Sequence, residues 1–355
     1  MNTTTNKVHV NKLLRPEAYY QPEDIVFFDI ETTGFAAETT MLYLIGCGCY
    51  KDGSWVITQW FNDDGSSERE ILLCFMEFIK SYKYILHYNG DGFDIPYIQK
   101  KLAQYDLDCQ FDGLKSVDLY KHIRPYKNIL HLNNLKQKSL EQFLGINRLD
   151  KYTGGDLIKV YEEYLTHHTD DGRQLLIQHN YEDLEGLMYC CSLLSYEKLK
   201  AGQFHVQKMS VKRNRLYFSL ALDYPLPRRI TLGTDNILVT GYEAEATINV
   251  PIIDEELKFF FENYKDYYYL PAEDMAVHKS VASYVDKNYR QQAKRNTCYT
   301  RRKGFFISQI DSGIIAGYKR DFKDSETFIE LADSFLQDMD LLNAYARHVI
   351  AKMIT

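Results

Sequence analysis

The chain has 355 residues, of which 45% are hydrophobic and 26% charged, and its formal net charge is −7. These values are ordinary for a soluble globular protein of two domains, and the negative charge argues against binding to duplex nucleic acid by charge alone. Neither a membrane span nor a signal peptide is expected, since no run of about 18 apolar residues occurs and the N-terminal residues 1–20 are polar. The seven scattered cysteines lack zinc-binding spacing, which favours reduced thiols and a cytoplasmic location.

The first acidic motif follows the apolar run Ile25-Val26-Phe27 and reads Phe28-Asp29-Ile30-Glu31-Thr32-Thr33-Gly34. Because side chains alternate along a strand, Asp29 and Glu31 are expected on one face, near the strand's end. The following threonines and glycine predict a turn, which leaves both carboxylates at the rim of a sheet. An idle, solvated acidic pair is the plain alternative.

The second acidic motif runs from His87 to Pro96, between a short predicted strand and a predicted helix. Asp94 lies at the N-terminus of that helix, where capping is its ordinary role. Asp91 competes with it as a metal ligand. We prefer Asp94, because its apolar neighbours would pack and fix it, whereas Asp91 lies between two glycines.

The third acidic motif lies on a long helical pattern and ends at Asp183. His179 is four residues earlier, so the two side chains are about 40° apart around the helix, on one face. A histidine in that position is well placed to accept a proton from an attacking water. Tyr181 points to nearly the opposite side. A simple surface pair of His179 and Asp183 is the alternative.

The three motifs together provide enough hard oxygen donors for two Mg²⁺ or Mn²⁺ ions. They resemble the motifs of the DEDD superfamily of ribonuclease H-like 3′–5′ exonucleases, and most closely its bacterial, largely uncharacterised ribonuclease H-like branch. The resemblance covers residues 24–196, and in that branch an asparagine follows the base position, as Asn180 follows His179 here. It implies a metal site formed by Asp29, Glu31, Asp94 and Asp183.

One departure from the superfamily pattern concerns the general base. Its branches place either tyrosine four residues before the last aspartate or histidine five residues before it. Here His179 is four residues before Asp183, and Gln178 is five residues before it. The expected base is His179, with Tyr181 as the fallback. Asn89, in the second motif, is expected to orient the substrate or the loop that carries Asp94.

The predicted elements give an α/β architecture, a ribonuclease H-like mixed sheet flanked by helices. Strands are expected at 25–30, 41–50, 54–61 and 84–88, with helices at 67–80 and from 93. The domains are expected to be an N-terminal extension (1–23), the exonuclease domain (24–199) and an α+β domain (200–355). Within the last of these, helices are expected at 273–285 and 325–353.

The C-terminal half is the better candidate for binding a phosphate backbone. Residues 1–199 carry 20 basic and 29 acidic side chains, whereas residues 200–355 carry 22 and 20. Basic residues interleaved with aromatics suit a single strand, and the residues expected to bind it are Arg295, Tyr299, Arg301 and Arg302. A solvated hairpin with a charged edge is the alternative.

The sequence thus predicts a two-metal 3′–5′ exonuclease acting on single-stranded RNA or DNA, without a membrane and with no protein partner that can be inferred. The competing class is a catalytically silent ribonuclease H-like scaffold that binds nucleic acid or protein. The unusual position of His179 and the negative net charge favour that class. The four acidic residues argue for the enzyme.

Overall fold

The computed structural model describes residues 1–234 and 236–354. These residues form two compact units. The first unit comprises Met1–Glu197 together with Leu226–Arg228, and the second comprises Lys198–Pro225 and the chain from Arg229 onward.

A mixed sheet lies at the centre of the first unit. Its six strands among the described residues are β1 (Asn2–Lys7), β2 (Ile25–Thr32), β3 (Leu42–Lys51), β4 (Ser54–Phe61), β5 (Tyr84–His87) and β6 (Lys115–Asp118). They are arranged in the order β1-β4-β3-β2-β5-β6, antiparallel from β1 to β2 and parallel from β2 to β6. The predicted ribonuclease H-like mixed sheet is therefore confirmed.

The N-terminal segment, expected as an extension over 1–23, contributes a strand to the sheet. Residues Asn2–Lys7 form the edge strand of the sheet and pair with β4 in antiparallel register. Their polar side chains gave no apolar alternation to indicate a strand, but their backbone pairs with the outer side of β4.

Helices cover both faces of this sheet. They are α1 (Glu68–Ile79), α2 (Asp94–Gln104), α3 (Leu119–Ile123), α4 (Gln137–Leu144), α5 (Gly154–His167), α6 (Asp170–Cys190) and α7 (Leu194–Lys200), the last of which crosses into the second unit. On one face, Phe28 of β2 stacks on Phe75 of α1 at 5.5 Å. On the other, Tyr43 of β3 stacks on Tyr161 of α5 at 4.3 Å, and α6 packs beside α5.

The second unit is rich in β-structure. Its elements are β7 (Phe204–Lys212), β8 (Arg215–Gly233), β9 (Leu238–Pro251), β10 (Ile253–Phe260), β11 (Tyr267–Leu270), β12 (Met275–His278), α8 (Lys279–Ala282), β13 (Gln291–Gln292), β14 (Tyr299–Ser308), β15 (Phe328–Glu330), α9 (Asp333–Leu336) and α10 (Met339–Met353). Three-stranded sheets within the described residues follow the orders β7-β8-β9, β12-β11-β13 and β10-β14-β15.

Two helix predictions for this unit were wrong in their extent. Within the helix expected over 273–285, Met275–His278 form strand β12, paired with β11, and only the four residues of α8 are helical. The range 325–353, expected as one helix, begins with β15, which pairs with β14, and is then helical in two pieces, α9 and α10. Among the residues that the structure describes, no helix has both the length and the apolarity needed to cross a bilayer.

Candidate metal centre

Two carboxylates of the centre come from the end of β2. Asp29 and Glu31 project from one face, as the alternation of a strand requires, and the register with β3 shifts between Glu31 and Thr32. Such a bulge bends the strand directly after the second carboxylate. Asp29 Oδ2 accepts a hydrogen bond of 2.8 Å from Asn180 Nδ2 on α6, so this face of β2 looks onto α6.

The third carboxylate, Asp94, is the first residue of α2. A turn precedes it, in which Asn89 has a φ of +60° and the Ile95 amide donates to the Gly90 carbonyl at 2.9 Å. Burial raises the pKa of Asp94 to about 7, although backbone hydrogen bonds at Asp94 and Ile30 act in the opposite direction. Asn89 is exposed at the start of this turn, where its amide donates to Asp118.

The fourth carboxylate lies on α6, one turn after His179. His179 Nε2 is 3.1 Å from Asp183 Oδ2 and 3.6 Å from Glu31 Oε1, so the helix places both side chains against β2. Tyr181, the fallback base, lies outside this cluster, and its hydroxyl donates to the Lys7 carbonyl at 3.1 Å. Its helical phase turns it away, and we do not propose it as the base.

The four carboxylates are close enough to affect one another's ionisation. Burial raises the pKa of Asp29 and of Glu31 well above the usual range, and the charge of Asp183 raises both further. Burial would also raise the pKa of Asp183, but hydrogen bonding to His179 and the charge of Arg148 lower it. Buried carboxylates that repel one another are stabilised by a divalent cation, for which their oxygens are the preferred donors. The donor set therefore fits Mg²⁺ or Mn²⁺.

Two charged residues of the centre were missed by the sequence analysis. Arg148 pairs with Asp183 Oδ1 and with both oxygens of Glu141, and Asp150 Oδ2 is 2.6 Å from His179 Nδ1. Both lie in the segment between α4 and α5, which carries no motif. Only tertiary contacts bring them to the site, so no spacing in the sequence could have indicated them.

A second cluster, formed by His87, Asp91 and Asp118, also brings possible metal ligands together. The Gly90 amide donates to His87 Nδ1 at 3.0 Å, so the neutral ring carries its proton on Nε2 and has no lone pair there for a cation. Burial lowers the pKa of His87, which favours that neutral ring. Lys121 pairs with Asp91 at 2.6 Å. This cluster therefore fits a support for the turn before Asp94, which favours Asp94 over Asp91 as the ligand.

The basic residues singled out in the C-terminal half lie on or near β14. Arg301 pairs with Glu256 at 3.2 Å, and Arg302 pairs with Glu330 at 2.8 Å. Tyr299 is buried, with its hydroxyl donating to Asp274, so its ring is not available for stacking on a base. Arg295 is exposed and its guanidinium lies 5.9 Å from the Tyr264 ring centroid.

Comparisons with known proteins match the first unit. Residues 26–194 fit a family model described as the RNase_H superfamily. Over 90 residues the chain is 28% identical to DNA polymerase 1 of Aeropyrum pernix. The aligned stretch is 25% of this chain and only 8% of that protein. The family B DNA polymerase of the archaeon Pyrobaculum calidifontis aligns with 93% of this chain over 46% of its own length, at 11% identity and a TM-score of 0.40.

Proposed function

Because residues 26–194 match the family model of the RNase_H superfamily, we propose that the protein is a metal-dependent 3′–5′ exonuclease that hydrolyses phosphodiester bonds of single-stranded RNA or DNA. One observation carries this proposal, the meeting of four carboxylates from three separate segments. They are Asp29, Glu31, Asp94 and Asp183. The 3′–5′ direction rests on the resemblance of the three motifs to the DEDD exonucleases.

These four carboxylates would hold the cations, which we propose to be two Mg²⁺ or Mn²⁺ ions. Bound there, such ions lower the pKa of a water molecule and stabilise the leaving oxygen of the phosphodiester. Asn180 contributes by donating to Asp29 Oδ2, which fixes the orientation of that carboxylate. The competing idea of a silent scaffold does not account for four converging carboxylates.

His179 is the proposed general base. Its Nε2 lies between Glu31 and Asp183, and its Nδ1 is held by Asp150. Burial lowers the pKa of His179, but hydrogen bonds to Asp183 and Asp150 and their charges raise it overall, so Nε2 can also hold a proton that it donates to Asp183. With cations bound to Asp183, a neutral imidazole that carries its proton on Nδ1 would present the lone pair of Nε2 to the acidic centre. From there Nε2 can accept the proton of the attacking water.

Exposed apolar side chains near the centre support a single-stranded substrate. Phe35 is 91% exposed, follows the first motif and packs edge-on against Phe93, whose neighbour is Asp94. Leu149 is 82% exposed and lies between Arg148 and Asp150. Aromatic and apolar surfaces of this kind bind the faces of bases, which are accessible only in an unpaired strand.

The proposal is tested with RNA and DNA oligonucleotides labelled at the 3′ or the 5′ end, with Mn²⁺ or with chelator. We expect Mn²⁺-dependent loss of the 3′ label first, and a drop of at least about a hundredfold in Asp29→Asn. Asp52→Asn is the matched control, since Asp52 lies in the exposed turn between β3 and β4 with a φ of +50°, which asparagine tolerates. Equal cleavage by wild type and Asp29→Asn would refute the assignment.

A further inference from the structure

The segment between α4 and α5 brings a carboxylate to the proposed base. Asp150 Oδ2 is 2.6 Å from His179 Nδ1, and the side chains of these residues are 4% and 6% exposed. On the opposite edge of the ring, Nε2 faces Asp183 at 3.1 Å. The ring is thus fixed between a carboxylate outside the three motifs and one inside them.

We propose that Asp150 is a positioning residue for the nuclease reaction. It accepts the hydrogen of Nδ1 and so keeps Nε2 as the nitrogen that faces the acidic centre. Without such a partner both tautomers of a neutral imidazole are populated, and the ring can also turn about its broad, roughly two-fold χ2 torsion. The inference rests on the proposed function, since it takes His179 to be the base.

The position of Asp150 does not depend on His179 alone. The amides of Leu149 and Asp150 donate to the Glu182 carboxylate at 3.4 and 3.0 Å. Lys138 Nζ is 3.1 Å from Asp150 Oδ2, and the Tyr152 amide donates to Asp150 Oδ1 at 2.9 Å. A carboxylate held from this many sides can impose an orientation on the ring rather than follow it.

The segment between α4 and α5 also contacts Asp183, one turn after His179 on α6. Arg148, two residues before Asp150, pairs with Asp183, which follows His179 by four residues on α6. Arg148 and Asp150 thus contact Asp183 and His179 from one short segment, and Leu149 between them is exposed.

The test compares Asp150→Ala and Asp150→Asn with Lys138→Ala, which removes a partner of Asp150 and leaves the contact with His179. Asparagine has the size of aspartate, so it leaves no void, but it has only one acceptor oxygen. It therefore cannot accept from both His179 and Lys138 on one side and the Tyr152 amide on the other. The first measurement is kcat and KM on a labelled single strand. The second is the tautomer of His179, measured by nitrogen-15 NMR on protein with labelled histidines in the presence of Mg²⁺. The His179 signals are identified by their loss in His179→Asn.

We expect kcat to fall by about 10–100-fold in both Asp150 variants, with KM changed far less, as for partners that orient a ligand at a metal site. We also expect the single Nδ1–H tautomer of wild type to be lost in Asp150→Ala and kept in Lys138→Ala. An unchanged tautomer, or wild-type kcat in both Asp150 variants, would overturn the inference. If wild type itself does not cleave, the proposed function fails, and the NMR measurement still decides whether Asp150 orients the ring.

Discussion

Gly46 of β3 lies against Asn180 of α6, so closely that a Cβ on Gly46 would be 2.2 Å from Asn180 Oδ1. Asn180 in turn donates to Asp29 and accepts a hydrogen bond of 2.9 Å from Gln59 Nε2. The missing side chain at position 46 therefore sets how near α6 comes to the carboxylates of β2.

Gly46→Ala is expected to destabilise the fold by about 1–3 kcal/mol, since the added methyl group forces α6 away from the sheet. It should lower nuclease activity for the same reason. Urea unfolding and the oligonucleotide assay measure the two effects. Gly113→Ala is the control, because no atom lies within 4 Å of a Cβ at that position. Equal stability and activity of the two variants would show that α6 is not held this closely.

His179→Asn is expected to lower kcat by about 10²–10⁴-fold while binding of a single-stranded oligonucleotide is largely kept, because the base acts on the water and not on the strand. Tyr181→Phe removes the hydroxyl that donates to the Lys7 carbonyl and should leave kcat unchanged. Steady-state kinetics and a binding titration give both values. A larger loss of kcat in Tyr181→Phe than in His179→Asn would reverse the assignment.

Phe35→Ala is expected to raise KM for a single strand by about five- to a hundredfold, the range for one stacked base, with a smaller change in kcat. The free energy of unfolding of the variant should not change, since the Phe35 ring is 91% exposed. Leu73→Ala on α1 is the matched control, an apolar side chain that is 42% exposed and lies in none of the motifs. Identical KM values for all three proteins would exclude stacking at Phe35.

The pH dependence of stability has one clear contributor in the second unit. A hydrogen bond from Lys352 lowers the pKa of Asp311 to about 2, and His348 lies 3.1 Å from the same carboxylate. The folded pKa is thus below the unfolded value of about 3.9, so the contribution is complete above pH 4 and is lost as the pH falls toward 2.

Asp311→Asn should therefore lower the urea midpoint at pH 6, and the difference from wild type should shrink as the pH falls from 4 toward 2. Urea unfolding of both proteins across this range is the measurement. A difference that does not vary with pH would mean that the ionised carboxylate is not the source of the stabilisation.

The parts that the sequence could predict are those set by local pattern. Alternation along β2 places Asp29 and Glu31 on one face, and the four-residue spacing on α6 places His179 beside Asp183. The same spacing predicted that Tyr181 points away from Asp183, and its hydroxyl donates to the Lys7 carbonyl instead. Each of these relationships lies within a single element, so its geometry follows from the period of a strand or a helix.

The parts that could not be predicted depend on contacts between distant segments. Arg148 and Asp150 reach the centre because the Glu182 carboxylate holds the backbone between them, and no local pattern encodes that contact. In the second unit, β12 is a strand because it pairs with β11, although its sequence favoured a helix. Tyr299 is buried against Phe260 and Tyr269, contacts that composition alone does not indicate.

The most direct test of the central claim is a titration of the protein with Mn²⁺, in which the free ion is followed by electron paramagnetic resonance. Two ions per chain are predicted for wild type and fewer for Asp29→Asn, whereas Asp91→Asn, in the second cluster, should bind as wild type does. Absence of binding by wild type, or the same two ions in Asp29→Asn, would contradict the account.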